Sequence, residues 1–290
     1  MEELFKEVSE SSKKLYIHNL KKLNGDKVPT NLNFLKNTEK ILTQLEGKVP
    51  NTRKSYLIAI VKALKMTNTK PTLKLYDVYY PYLVKLNQST KDNTEKTESE
   101  TTNWITKEDI DLLNEKYSSF VSDIKSKRKI TDEQKEMLLE YLIFSLYTKT
   151  IPRRGLDYTK MKVANPIDSN PEYNYYWKGK FYFNNYKTKG TYGSQIIDVP
   201  LELETIIKLW IKHKNKEIDY LLVKNEKPFV STNYIQKILT KIFGKNVGVS
   251  LLRKYYATSK HSSAVSEMEE TSYGMGNSVG TLKDNYIKKD

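Results

Sequence analysis

Residues 137–163, MLLEYLIFSLYTKTIPRRGLDYTKMKV, place a run of apolar side chains directly before a pair of arginines. From Met137 onward the apolar residues follow i, i+1, i+4 and i+5 spacing, which predicts one face of a helix. We predict this helix over residues 132–148, and it is apolar enough to form the centre of a core. Arg153 and Arg154 follow it, where charged groups must be hydrated or serve a purpose.

The residues before this stretch contain four segments with apolar residues at helical spacing and lysine-rich polar faces. Asn51 or Thr52 would suit the N-cap of the third segment. The fourth contains Pro81, which predicts an interruption of the helix. The N-terminal part is therefore predicted to consist of short helices, over residues 11–23, 33–45, 51–66 and 73–86.

Residues 87–103, NQSTKDNTEKTESETTN, contain no apolar residue. Such a segment cannot bury surface to offset the entropy lost on ordering, so we predict an exposed, flexible linker. Structure resumes at Trp104, with Thr106 as an N-cap ahead of acidic residues. The predicted organisation is an N-terminal domain over 1–86, the linker, and a larger domain over 104–290.

Beyond Arg154 the pattern changes from helical to strand-like and back. Residues 180–200 combine two β-prone runs with a central Lys-Gly-Thr-Tyr-Gly segment, and this predicts a β-hairpin with its loop at 189–193. Helical spacing then returns over 202–214, over 233–243 and in a segment that opens at Ser250. The predicted fold class is mainly α with a small β-hairpin or sheet.

The composition narrows the possible functions. Lysine and arginine outnumber acids 49 to 35, and the resulting net charge of +14 favours a polyanionic partner, most commonly nucleic acid. The alternative is a lysine-rich composition inherited from an AT-rich genome. Cysteine is absent and histidine occurs three times, so we expect no metal and no cofactor. With neither a signal sequence nor an apolar run of about 20 residues, we expect a soluble intracellular protein without membrane contact.

Arginine is scarce beside lysine, which draws attention to Arg253 among the apolar residues of the last predicted helix. One interpretation is an ion pair at a helix edge. The other is a phosphate clamp, because a guanidinium is always charged and its planar donors match two phosphate oxygens.

The order of these elements resembles the catalytic domain of the tyrosine recombinases, the phage-type integrases. In that family an arginine precedes an acid by three residues after a buried helix. Arg154 and Asp157 match this pattern, which implies that Arg154 is a catalytic arginine and Asp157 its buried acidic companion. Arg153 is one residue out of register and is the weaker candidate.

The resemblance implies further site residues. The family places a lysine on a β-hairpin just before the turn; Lys187 is favoured, and Lys189 is the alternative. Its second arginine usually closes a His-x-x-Arg motif. Arg253 matches, with Ser250 where the histidine would stand, although serine is also a good N-cap.

The last family motif is a Leu-Gly-His-Ser segment with a tyrosine nine residues after the histidine. Met275-Gly276-Asn277-Ser278 and Tyr286 follow this spacing, so Asn277 stands at the histidine position. The resemblance implies that Tyr286 attacks a DNA phosphodiester. Since neither family histidine is present, no general base is assigned; His261 is a weak candidate.

The resemblance covers residues 104–290 by motif and extends to the N-terminal helices as a core-binding domain. It implies site-specific recombination or integration of double-stranded DNA through a 3′-phosphotyrosyl intermediate. It further implies a homotetramer on DNA, and a mobile element or viral genome as a possible source. Two alternatives stay open. One is a type IB topoisomerase, and the other is a DNA-binding protein that has kept the fold but lost catalysis.

Overall fold

The computed structural model of the chain describes residues 1–91, 95–166, 170–229 and 231–288. The chain divides into two compact units, Met1–Glu95 and Lys96–Asp290. The described residues are mainly helical with a small amount of β-structure, which confirms the predicted fold class.

The first unit is organised around one helix, α3, which packs against both α1 and α4. Ala59 and Ala63 of α3 are fully buried, together with leucine and isoleucine side chains on the same helix. Tyr79 of α4 is also fully buried, and its hydroxyl donates to the carbonyl of Leu35 at 2.8 Å. The helices of this unit are α1 (Glu10–Leu23), α2 (Thr38–Glu46), α3 (Pro50–Thr67) and α4 (Lys70–Lys91), with 3₁₀ turns at Glu3–Phe5 and Asn33–Lys36.

Three details of the predicted N-terminal helices differ in the structure. The segment predicted as one helix over 33–45 is a 3₁₀ turn followed by α2, because the Asn37 side chain accepts from the amide of Lys40 and caps α2. The helix α3 is preceded by Val49 at the N-cap, with proline at its first position. Proline there has the right φ and no amide to satisfy, so the expected cap at Asn51 or Thr52 is wrong.

The predicted interruption at Pro81 is also wrong, because α4 continues through it. Proline removes one helical hydrogen bond, the one that would reach the carbonyl of Asp77. Both residues lie on the exposed side of α4, so water can satisfy that carbonyl.

The predicted linker over 87–103 is helical at both ends. The helix α4 extends to Lys91, and a short helix, α5, spans Glu98–Asn103. A capping box starts α5, in which Thr97 accepts from the amide of Glu100 and the carboxylate of Glu100 accepts from the amide of Thr97. Local capping thus gives a polar segment a helix without burying apolar surface. Residues 92–94 lie outside the described residues.

The second unit is built around α7, Asp132–Thr148, whose bounds are those predicted. Its residues 138–147 are all buried. The helices α6, α10, α11 and α12 all pack against it. The expected Thr106 cap is confirmed, since its hydroxyl accepts from the amide of Asp109. The remaining helices are α6 (Lys107–Ile124), α8 (Gly155–Thr159), α9 (Lys189–Tyr192), α10 (Leu201–His213), α11 (Thr232–Phe243), α12 (Val249–Gly274) and α13 (Val279–Thr281).

The strands form a four-stranded sheet in the order β1-β2-β3-β4, and β5 pairs with β6 in a separate ribbon. The predicted hairpin is present as the antiparallel pair β3 and β4, with Phe181 opposite Ile197 and Phe183 opposite Gln195. Its connection contains α9. The strands are β1 (Lys162–Val163), β2 (Tyr175–Trp177), β3 (Lys180–Phe183), β4 (Gln195–Asp198), β5 (Val223–Lys224) and β6 (Lys227–Pro228).

In the part of the chain that the structure describes, every helix is too short or too polar to cross a bilayer.

Candidate functional site

Arg154 lies immediately before α8, in an extended conformation. The next residue, Gly155, is closely packed, since a Cβ atom there would lie 3.0 Å from Cγ2 of Thr232 on α11. This contact fixes the start of α8 against α11. The Arg154 side chain is half-buried, and within the described residues its guanidinium makes neither a hydrogen bond nor an ion pair.

Arg253 lies in the first turns of α12, directly after the buried residues Leu251 and Leu252. The N-cap of α12 is Gly248, where a Cβ atom would overlap the side-chain amide of Gln236 on α11. The start of α12 therefore packs closely against this side chain of α11. Arg253 is half-buried, and its guanidinium also makes no hydrogen bond or ion pair with any described residue.

The two arginines act on two buried groups, Asp157 and Tyr147, which also act on each other. Burial is the main cause that raises the pKa of Tyr147 well above its usual value; the Asp157 carboxylate adds to this, while the Arg253 guanidinium opposes it. Burial also raises the pKa of Asp157, and Arg153 and Arg154 oppose that shift. Arg154 is therefore in electrostatic range of Asp157, and Arg253 is in electrostatic range of Tyr147.

Asp157, predicted as the acidic companion of Arg154, pairs with Arg153 in the structure. The carboxylate of Asp157 accepts a hydrogen bond from Nε of Arg153 at 2.9 Å. Arg153 and Asp157 are four residues apart in the chain, and both side chains are largely buried. The out-of-register arginine, Arg153, therefore forms the ion pair, and the described residues leave the donors of the Arg154 guanidinium unoccupied.

The hairpin loop contains both candidate lysines. Lys187 is exposed, and Lys189, at the start of α9, is half-buried. Neither side chain forms a hydrogen bond or ion pair with the rest of the described chain. The loop is closed by Tyr186, whose hydroxyl donates to the carbonyl of Gly193 at 2.6 Å.

Ser250 lies in the first turn of α12 and is exposed, while Gly248 occupies the N-cap. The interpretation of Ser250 as a helix cap is therefore wrong. No contact within the described residues joins its hydroxyl to Arg253.

The structure does not bring Tyr286 to the arginines. The helix α12 is continuous over 26 residues, and at the usual rise its stretch from Arg253 to Gly274 is roughly 32 Å long. Tyr286 ends a π-helical turn, Leu282–Tyr286, beyond this helix, with 55% of its side chain exposed. The described residues offer its hydroxyl no hydrogen-bond partner.

Asn277 lies with Tyr286 in the tail, not beside the arginines. Its amide donates to the carbonyl of Ser272 at 2.8 Å, and its side chain donates to the carbonyl of Met275 at 3.2 Å. Both contacts fold the tail back onto the end of α12. Leu282 is buried there, outside the main hydrophobic core of the unit.

Two residues of the site were not predicted. Tyr147 is predicted as one more apolar residue of α7, but its buried hydroxyl has no hydrogen-bond partner among the described residues. Gln195 accepts from Arg153 at 2.7 Å. Sequence spacing gave no signal for this contact, because the two residues are on different elements.

The arrangement suits the binding of an oxyanion. Within the described residues, the guanidinium groups of Arg154 and Arg253 have neither a hydrogen-bond nor an ion-pair partner, and each has planar donors that match phosphate oxygens. The carboxylate that could have neutralised one of them is already occupied by Arg153. The described side chains at this site include no histidine.

Comparisons with known proteins add little. No family model matches the chain, and no curated protein matches it. Among solved structures, XerA recombinase resembles it with a TM-score of 0.38 and 14% sequence identity, over 98% of this chain and 90% of that one. A likeness at this level does not establish a shared fold.

Proposed function

We propose that this protein cleaves and rejoins double-stranded DNA as a tyrosine recombinase, with residues 104–290 as the catalytic domain and residues 1–86 as a DNA core-binding domain. The observation that supports this most directly is the pair formed by Arg154 and Arg253. Both guanidinium groups lack a partner among the described residues. Arg154 acts on Asp157 and Arg253 acts on Tyr147, and these two buried groups act on each other. Such a pair would bind a phosphodiester on two oxygens.

The reaction begins when the hydroxyl of Tyr286 attacks the phosphorus atom. A phenol has a pKa near 10, so positive charge around the phosphate must favour loss of its proton, which passes to water. Arg154 and Arg253 stabilise the charge that grows on the non-bridging oxygens. The bond from phosphorus to the 5′ oxygen breaks, and a 3′-phosphotyrosyl ester forms. A 5′ hydroxyl of another strand reverses the step.

Lys187 is the proposed general acid. The 5′ oxygen leaves as an alkoxide unless it receives a proton, and a lysine ammonium on the hairpin loop can supply one. Lys189 lies in the same loop and is the alternative. Exchange of strands between two duplexes would engage four copies of the chain.

Tyr286 must move for this chemistry to occur. The half of α12 that follows Tyr256 is exposed over almost its whole length, so no packing against the core stabilises it as a straight helix. The segment Ser262-Ser263-Ala264-Val265 contains poor helix formers. We propose that α12 bends at this segment when the protein binds DNA, and that the bend brings Tyr286 to Arg154 and Arg253.

One observation favours a second function, that of a protein which binds DNA without cleaving it. Tyr286 lies away from the arginines, and Ser250 and Asn277 replace the two histidines of the family motif. A phosphate could still bind at Arg154 and Arg253 in such a protein. Formation of a covalent adduct separates the two functions.

The test uses nicked suicide duplexes made from the sequences that flank the gene. After cleavage the short strand beyond the nick diffuses away, so the covalent adduct accumulates and is seen by denaturing electrophoresis. We expect an adduct with the wild-type chain and none with Tyr286→Phe. Tyr273→Phe is the matched control, because Tyr273 lies in the last turn of α12, just before the tail, and is 90% exposed.

Arg154→Ala and Arg253→Ala should each abolish the adduct. Binding of the duplexes without any adduct, at every flanking sequence tested, would overturn the proposed cleavage and favour the non-catalytic function. An adduct that persists in Tyr286→Phe would show that another tyrosine is the nucleophile.

A further inference from the structure

The loop over residues 186–193 joins β3 to β4 and contains Lys187 and Lys189. Backbone hydrogen bonds make it compact, from the amide of Lys189 to the carbonyl of Tyr186 at 3.1 Å and from the amide of Gly193 to the carbonyl of Lys189 at 2.8 Å. The hydroxyl of Tyr186 closes it by donating to the carbonyl of Gly193. A loop folded on itself moves as one body, so what holds its two ends decides where its lysines lie.

One guanidinium contacts both ends of this loop. On the β3 side, the Cζ atom of Arg153 lies 3.8 Å from the ring centroid of Phe183, which ends the strand, and 4.8 Å from that of Tyr186. On the β4 side, Nη1 donates to the side chain of Gln195 at 2.7 Å. Cation–π contact and hydrogen bonding together use the face and the edge of the planar group.

The same guanidinium is fixed to α8, because its Nε donates to the buried carboxylate of Asp157. The Arg153 side chain is 16% exposed and so is poorly placed to bind DNA itself. The guanidinium of the next residue, Arg154, has no hydrogen-bonded partner in the part of the chain that the structure describes. Two consecutive arginines thus have opposite surroundings, one enclosed by protein and one open.

We infer that Arg153 is a positioning residue that holds the lysine-containing loop in a fixed place relative to Arg154. The inference rests on the proposed function, because it gives the loop the task of protonating the leaving oxygen. Arg154 would bind the phosphate, while Arg153 fixes the distance between that phosphate and Lys187. Arg153 touches neither the substrate nor the reacting atoms.

A role only in folding is the simpler account, since Arg153 also neutralises a buried carboxylate. The leaving group separates the two roles. A duplex with sulfur in place of the bridging 5′ oxygen releases a thiolate, and since a thiol has a pKa of about 8.5 it leaves without a proton from the enzyme. Loss of the general acid is then harmless, whereas loss of phosphate binding or of the fold is not.

The experiment compares cleavage of oxygen- and sulfur-bridged suicide duplexes by single variants of the full chain. Arg153→Lys retains the charge beside Asp157 but loses the planar contacts with Phe183 and Gln195. We expect it to cleave the oxygen duplex about tenfold to a hundredfold more slowly than wild type and the sulfur duplex at close to the wild-type rate. Lys187→Ala should show the same rescue, and Arg154→Ala should fail on both duplexes.

If Arg153→Lys loses cleavage rate equally on both duplexes, or loses none on either, the inference is overturned. Absence of cleavage by the wild-type chain on both duplexes would instead overturn the proposed function. Even without cleavage, hydrogen exchange of the backbone amides tests whether Arg153 positions the loop. In Arg153→Lys the amides of Lys189 and Gly193 should exchange faster while those of α7 are unchanged; unchanged exchange in the loop would exclude a positioning role.

Discussion

The carboxylate of Asp157 accepts its hydrogen bond from Arg153, at 2.9 Å, and not from the adjacent Arg154. Asp157 is 2% exposed, so its charge depends on this partner. The pairing divides two consecutive arginines into one that maintains the structure and one that stays available to a ligand. This division has separate consequences for stability and for DNA cleavage.

Alanine substitution should separate these roles. Arg153→Ala leaves a buried carboxylate without its partner, and we expect the free energy of unfolding to fall by about 3 kcal/mol. Arg154→Ala removes a side chain without a hydrogen bond or ion pair among the described residues and should change stability by less than about 0.5 kcal/mol, yet abolish the covalent adduct. Urea unfolding measures the first effect. A larger loss of stability in Arg154→Ala than in Arg153→Ala would contradict the pairing.

The pH dependence of stability should report the state of Asp157. Burial raises the pKa of its carboxyl, although Arg153 opposes the shift. The folded state therefore holds this proton more tightly than the unfolded state, whose pKa is about 3.9. The stabilising contribution is present at low pH and is lost as the pH rises through the raised folded value. In Asp157→Asn this contribution is absent.

Urea unfolding of both proteins at several pH values from 4 to 7 tests this sign. The wild type should lose stability relative to Asp157→Asn as the pH rises. A gain relative to the variant would mean that Arg153 outweighs burial and that the folded pKa of Asp157 is lowered.

The sequence correctly predicts the helices whose position is determined by residues within the helix itself. The apolar run of α7 is long and periodic, and Thr106 has an acid three residues later to complete its cap, so both were predicted correctly. Spacing along the chain could not predict which arginine pairs with Asp157. Arg153 and Arg154 lie four and three residues before Asp157, and the choice between them depends on Phe183 and Gln195, which come from another part of the sequence.

The position of Tyr286 could not be predicted for a similar reason. A spacing of nine residues from Asn277 relates two points in the tail, but it does not relate the tail to Arg253. Their separation is set by whether α12 is straight or bent. This choice depends on small differences in helix propensity and on contacts that a bound DNA would provide.

The glycine at the N-cap of α12 should tolerate a side chain only if the Gln236 amide moves away. At Gly248 a Cβ atom would meet Gln236, whose amide donates to Asn246 and to the carbonyl of Val247, each at 3.3 Å. Because that amide is the far end of a flexible side chain, Gly248→Ala should displace it and lower the free energy of unfolding by about 1 kcal/mol at most, through loss of these two long hydrogen bonds. Gly274→Ala, at the other end of α12 with open space around it, is the matched control.

A double-mutant cycle identifies the cause. In a chain with Gln236→Ala the clash is absent, so Gly248→Ala should then cost much less. If the cost is the same with and without Gln236, the backbone conformation at Gly248 is responsible and the steric explanation is wrong.

Salt dependence should show which arginines bind phosphate. Each phosphate contact adds about 0.9 to the slope of log affinity against log salt concentration. Arg154→Ala and Arg253→Ala should each reduce the magnitude of this slope by about 0.9, measured by fluorescence anisotropy with a labelled duplex. Arg128→Ala is the control, because Arg128 is exposed between α6 and α7, away from the pair. An equal reduction in all three variants would indicate a diffuse effect of net charge.

Straightening α12 should slow DNA cleavage if Tyr286 reaches the phosphate through a bend. Ser262 and Val265 are exposed on this helix, and alanine at both positions stabilises the helical form by about 1 kcal/mol. The bent form becomes rarer by the same free energy, so the rate of adduct formation should fall about fivefold, while affinity for the duplex stays the same. Ser118→Ala with Val78→Ala, at exposed positions of α6 and α4, controls for a general gain in helix stability. If the α12 substitutions leave the rate unchanged, the helix need not bend there. Tyr286 would then have to act on a phosphate bound by another copy of the chain. In that case a mixture of the Tyr286→Phe and Arg154→Ala proteins would recover the adduct.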